Sequence, residues 1–180
     1  MMGNTLTATR RRKTMALGRM ESFDHGLFID FLEASGKTQA ELAVECGVTK
    51  GVVSHWLSGR NKPAPQHVPL LAETLGVSVL DLAGKTIETA DLVDLRIVQG
   101  LFGSRAAELA GLKPSQLQTL EAAISMPKPD QLEALAGPYK VTIEQIKRAW
   151  VNRRIYLFGV HSLQRLTPEA REYLSPWSTA

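Results

Sequence analysis

The chain has 180 residues, 44% hydrophobic and 22% charged, which leaves room for one or two small domains, each able to bury a core. No apolar run approaches the roughly 20 residues that span a bilayer, and the start lacks the apolar region of a signal peptide, so a cytoplasmic protein is expected. The net charge of +3 divides as +4 over residues 1–22, −2 over 23–86, −1 over 87–150 and +2 over 151–180. A near-neutral middle with basic ends suits a recognition core whose arms meet phosphates.

Residues 1–22 show little periodicity and read as a flexible basic arm, with Arg10, Arg11, Arg12 and Lys13 as its charge block. An opening helix follows near Phe23, where Leu27, Phe28, Phe31 and Leu32 share one apolar face and Gly36 closes the element. Thr38 is a good N-cap, and Glu41 three residues on completes a capping box. Leu42 and Ala43 point inward, and Gly47 supplies the left-handed residue that ends the helix. Cys46, the single cysteine, cannot close an internal disulfide and reads as a small core residue beside that glycine. Thr49 caps the next helix, whose Val53, Trp56 and Leu57 recur at helical spacing. Its other face carries Lys50, Gly51, Ser54 and His55, and Gly59 stops it. Arg60 to Pro65 form a rigid basic loop. Pro65 starts a helix with Val68, Leu71, Ala72 and Leu75 inward, and Ser78 caps a last short helix carrying Val79, Leu80 and Leu82.

Shifted by 64 residues, the chain matches itself without a gap. Gly36, Ala43 and Gly47 fall on Gly100, Ala107 and Gly111; Val53 and Trp56 fall on Leu117 and Leu120. Pro63 and Pro65 fall on Pro127 and Pro129, and Val77-Ser78-Val79 falls on Val141-Thr142-Ile143. The second copy departs at Phe102-Gly103, which loses the capping box and leaves Ser104 as the expected cap, and at Pro114-Ser115. A short linker near Ala83 to Thr86 leads to a helix expected from about Glu88. The last helix of the second copy is expected to run past Trp150, and Thr167-Pro168-Glu169 reads as a fresh start.

Two short helices joined by a glycine turn, the second with a small, polar outer face, make the helix-turn-helix signature. From about Phe23 to Gly84 the chain resembles the lambda-repressor-like (XRE/Cro) family. The expected fold is all-α: two tandem five-helix domains at 23–85 and 86–158, the basic arm 1–22, and a short helical extension 159–180.

The resemblance implies that the start of the second motif helix reads base edges in the major groove of double-stranded DNA. In the first copy that assigns Lys50, Gly51, Ser54 and His55; in the second, Ser115, Gln118 and Thr119, with Gln116 nearby. Gln39, Thr49, Arg60, Lys62 and Lys113 are then expected at phosphates, and the Arg10–Lys13 arm along a groove, the minor one included. Lys147, Arg148, Arg153 and Arg154 read as a solvated helical face in preference to a phosphate track.

His25, His55, His67 and His161 have no metal-ligand spacing, and neither a Gly-rich phosphate loop nor a nucleophile elbow is present. No cofactor, metal, membrane partner or enzymatic activity is expected. The overall plan is similar to the compact immunity repressors of temperate actinobacterial phages. That implies a transcriptional repressor in the host cytoplasm, at the nucleoid, reading an asymmetric operator. A monomer is favoured, with a homodimer as the other option. Two other readings stay open: an antitoxin whose second domain binds a protein partner, and an interaction adaptor that does not touch DNA.

Overall fold

The computed structural model describes residues 20–174, and among them every regular element is a helix. The arm residues Arg10, Arg11, Arg12 and Lys13 lie outside this range. Helix α1 (His25–Ser35) starts where the Asp24 carboxylate accepts the Gly26 and Leu27 N–H groups, and it ends at Gly36. Phe28 and Leu32 are its buried residues, with Leu27 and Phe31 half-buried beside them.

Helix α2 (Gln39–Glu45) begins in the expected capping box, with Thr38 and Glu41 satisfying each other's backbone N–H. Gly47, at φ 64°, turns the chain, and Val48 N–H closes on the Ala43 carbonyl at 2.9 Å. Helix α3 (Lys50–Leu57) follows, capped by Thr49 and buried through Val53 and Trp56. A 3-10 turn (Pro65–His67) leads into α4 (Val68–Leu75), whose Val68, Leu71, Ala72 and Leu75 are all buried as expected.

The fifth element of this segment is shorter than the helix expected there. Ser78 and Asp81 cap each other's N–H groups, but only a 3-10 turn, Asp81–Ala83, forms. The left-handed Gly84 stops it at once, and Lys85 N–H returns to the Leu80 carbonyl.

Helix α5 (Leu92–Val98) starts later than the Glu88 expected from the pattern. Thr86 and Thr89 bond to each other and hold 86–90 as a turn, and Asp91 with Asp94 then supplies the capping box. Helix α6 (Gly103–Leu109) has Phe102 at its N-cap without a side-chain bond, so Ser104 does not cap; it lies inside the first turn. Helices α7 (Pro114–Glu121) and α8 (Pro129–Tyr139) follow. Then comes α9 (Ile143–Phe158), opened by a Thr142–Gln145 capping box and running well past Trp150. A 3-10 turn (Val160–Arg165) and α10 (Pro168–Leu174) complete the described chain.

The 64-residue offset recurs in the backbone. Helices α2 and α6 have bounds 64 apart at both ends, as do α3 and α7, and α4 and α8 end at Leu75 and Tyr139. Positive φ occurs at Gly36, Gly47, Gly59 and Gly76, and again at Gly100, Gly111, Ala123 and Lys140. The two core clusters follow the same division. One is built on Phe28, Leu42, Val53, Trp56, Leu71 and Leu82, the other on Leu117, Leu120, Leu132, Leu135, Tyr139, Ile146 and Trp150.

Helix α5 belongs to both. Its Val93 and Ile97 enter the first core, while Leu92 and Leu95 enter the second. Beyond its end, an ideal Cβ on Gly100 would come within 3.3 Å of Pro69 Cγ and 3.6 Å of the Pro65 carbonyl. The short connection near Ala83 thus leads into a helix that packs in both cores. Among the described residues no helix is long and apolar enough to cross a membrane.

Candidate nucleic-acid interface

Helices α2 and α3 pack on one another across the Gly47 turn, α2 through Leu42 and Ala43 and α3 through Val53 and Trp56. Burying that stripe leaves Lys50, Gly51, Ser54 and His55 together on the opposite face, all exposed. Gly51 has a normal helical φ, and an ideal Cβ there would meet only Thr49 Oγ1, at 3.8 Å. Nothing inside the protein needs a glycine at this place, although glycine costs a helix about 0.5–1 kcal/mol relative to alanine. The missing side chain leaves backbone open to an outside partner.

The expected phosphate residues divide. Arg60 is exposed just past α3, and Gln39 is half-buried at the start of α2. The Thr49 hydroxyl accepts the Val52 N–H, so its first role is to cap α3. Lys62 is different: its ammonium donates to the carbonyls of Glu21 and Phe23, the latter at 3.2 Å. That cation is spent inside the protein, fixing the chain that leads into α1, instead of standing beside Arg60.

On α7, Ser115, Gln116 and Gln118 are exposed and Thr119 is half-buried. Gln116 Oε1 accepts the Lys113 N–H at 2.9 Å and Thr119 Oγ1 donates to the Gln116 carbonyl at 2.8 Å, so both serve the helix locally. Lys113 is exposed at the helix start. Unlike α3, this face is polar and uncharged.

The C-terminal end of α7 is held by arginines. Arg96 of α5, 2% exposed, donates Nε to Glu121 Oε1 at 2.6 Å, Nη2 to Oε2 at 3.3 Å and Nη1 to the Leu101 carbonyl at 2.7 Å. Tyr139 OH reaches the same carboxylate at 3.3 Å. Arg153 Nε donates to the Glu121 carbonyl at 2.9 Å, and Arg154 Nη1 to that of Ala123 at 2.8 Å. Arg153 is itself held by Glu21 Oε2 at 3.1 Å and Asp91 Oδ2 at 3.3 Å. Lys85 pairs with Asp94 and lies 3.7 Å from Asp91. Burial pushes the Glu121 carboxyl above its ordinary value, with the Arg96 cation opposing, and burial also raises Tyr139 well above the usual phenol range.

Sequence reasoning missed this network, because its partners lie far apart along the chain, Arg96 and Glu121 by 25 residues and Arg153 and Glu21 by 132. The basic residues of α9 are likewise turned to packing: Arg153 is buried, Arg154 stacks near Trp150 and Phe158, and Lys147 sits over Tyr173. Cys46 is buried at the end of α2, where burial raises its thiol, as befits a small core residue. Among the described residues no group of three His, Cys, Asp or Glu side chains could hold a metal ion.

A capped helix, a glycine turn and a second helix with an open polar face make α2–α3 a helix-turn-helix unit. Residues 30–82 match the family model described as Helix-turn-helix. The match covers under a third of the chain and supports the XRE-type helix-turn-helix family, whose members are DNA-binding transcription regulators. No curated protein and no solved structure matches the chain.

Proposed function

We propose that this protein is a transcriptional repressor that reads an asymmetric operator in double-stranded DNA with two tandem helix-turn-helix domains, 23–85 and 86–158, one chain per site. The observation that carries it is the α3 face, where Lys50, Gly51, Ser54 and His55 stand exposed together with a glycine that the protein's own packing does not require. Lys50 donates to guanine O6 and N7, His55 meets a neighbouring base edge, and Gly51 lets the backbone approach a thymine methyl. Arg60, with Gln39 and Thr49 at the helix starts, sets register on phosphates.

The recurrence of helix bounds and positive-φ positions at an offset of 64 supports a second domain of the same kind. Its Ser115, Gln118 and Thr119 are the proposed base readers, Gln118 pairing with adenine, with Lys113 at a phosphate and Gln116 next to them. Because the two faces differ in chemistry, the halves of the operator differ too. Two adjacent major-groove faces span roughly 12–16 base pairs. The Arg10–Lys13 arm adds backbone or minor-groove contact. Occlusion of a promoter, as in phage immunity repressors, is the proposed mode of action.

Selection from a randomised duplex library at near-physiological salt tests this. One asymmetric motif with unequal halves, bound by one chain, is the expected result, with Gln118→Ala and Thr119→Ala relaxing one half only. A palindrome carrying two chains overturns the monomer. No salt-dependent affinity for any duplex overturns DNA binding itself.

A further inference from the structure

We infer that Arg96, Glu121 and Tyr139, steadied by Arg153, are positioning residues that fix the pose of α7 relative to α3, so that the protein accepts a single spacing between the two halves of its site. The inference rests on the two-part operator proposed above.

The offset of 64 shows what these residues replace. Arg96, Glu121 and Tyr139 correspond to Leu32, Leu57 and Leu75, three leucines packed in the first core. The same places in the same kind of helical unit are thus filled by plain apolar packing 64 residues earlier. A buried ion pair with a tyrosine hydroxyl is therefore not needed to hold such a unit together. Buried ion pairs are in any case weak contributors to stability, because desolvation offsets their attraction; register is their best-attested use.

Directionality is what the trio adds. The face of α7 turned to the core offers Leu117 and Leu120, and apolar burial is non-directional, so two leucines leave a short helix free to roll or slide. A bidentate guanidinium–carboxylate pair has a preferred plane and distance. Here it acts on the last residue of α7, while Arg153 and Arg154 hold the carbonyls of Glu121 and Ala123. Arg96 stands on α5, which is seated in the first core through Val93 and Ile97, and just past its end Gly100 lies close to Pro65 and Pro69. Arg153 adds a second route, through Glu21, whose backbone carbonyl receives the Lys62 ammonium. Contacts thus run unbroken from the core that seats α3 to the end of α7. One base pair of added spacing turns the second half-site by about 35° and moves it about 3.4 Å, a change that a loose tether absorbs and this frame does not.

Affinity is measured for the selected operator and for versions with one base pair inserted or removed between the halves. The wild-type protein is expected to lose at least about tenfold on either change, comparable to a base mismatch. In the variant R96L/E121L/Y139L, which carries the first half's own residues, that penalty is expected to shrink to within about threefold, with weaker binding at the native spacing. A merely destabilised protein would lose affinity on all spacings alike, so the shape of the profile separates positioning from folding. Thermal melting reports whether the leucine variant folds, and Glu121→Gln, which keeps the side chain's shape, serves as the second variant. Wild-type tolerance of the altered spacings, or a folded variant with an unchanged profile, overturns the inference and leaves the operator standing. Failure to recover any two-part site removes both.

Discussion

Two residues of the second half, Ala123 and Lys140, sit in the left-handed region at φ 50° and 53°, at the places where the first half has Gly59 and Gly76. An L-residue there costs about 1–2 kcal/mol, and glycine gives back about 0.5–1 kcal/mol of that through its greater entropy loss on folding. Lys140 is exposed and caps α8 with its backbone N–H alone, which glycine retains. Lys140→Gly is therefore expected to stabilise by about 0.5–1 kcal/mol. Ala123 is fully buried, so Ala123→Gly also removes a methyl worth about 0.8 kcal/mol, which brings its net effect to about zero. For a chain of this length the first change raises the thermal midpoint by about 1–4 °C. Calorimetry, with urea unfolding to check that the slope is unchanged, reads both. A fall in midpoint for Lys140→Gly, or an equal gain for Ala123→Gly, would refute the reasoning.

The two cations after α3 should behave differently. Arg60→Ala is expected to lower the salt dependence of DNA binding by about one counterion. Lys62→Ala should leave that slope alone and instead destabilise by about 1–2 kcal/mol, since its ammonium serves two backbone carbonyls. Gly51→Ala should raise stability, because the new Cβ makes only an ordinary van der Waals contact with Thr49 Oγ1 and alanine favours helix, yet weaken operator binding in a mobility-shift titration; unchanged affinity would argue against close approach at that helix start. Glu41 accepts the Thr38 N–H and hydroxyl, which hold its carboxyl below the ordinary 4.5. Its contribution is thus present above that value and lost as pH falls through the lower folded one, so the gap in urea midpoint between wild type and Glu41→Gln should close on acidification below the ordinary 4.5. A gap that widens on acidification would reverse the sign.

The parts of the fold that sequence reading found are those decided within a few residues. Thr38 with Glu41, the Gly47 turn and the Thr49 cap fix α2 and α3 locally, and all three stand as read. Local competition explains two shifts: the Thr86–Thr89 bonds delay α5, and Gly84 truncates the turn that Ser78 caps. The buried charges were not legible, because their partners lie far along the chain. Arg96 and Glu121 are 25 residues apart, and Arg153 and Glu21 are 132 apart. Composition cannot distinguish such a pair from two solvated side chains, and Lys62 misled for the same reason.

Helix α5 also bears on how the protein comes into being. During synthesis the α2–α3 unit leaves the ribosome complete in its own cap and turn, but the seat for Val93 and Ile97 on its core stays uncovered until residue 98 has emerged. Even then α5 cannot settle fully, because Leu92 and Leu95 await α8 and α9. The α2–α3 unit therefore matures together with the second core, and a chain cut short between them carries an open apolar slot where a finished one carries a shared helix.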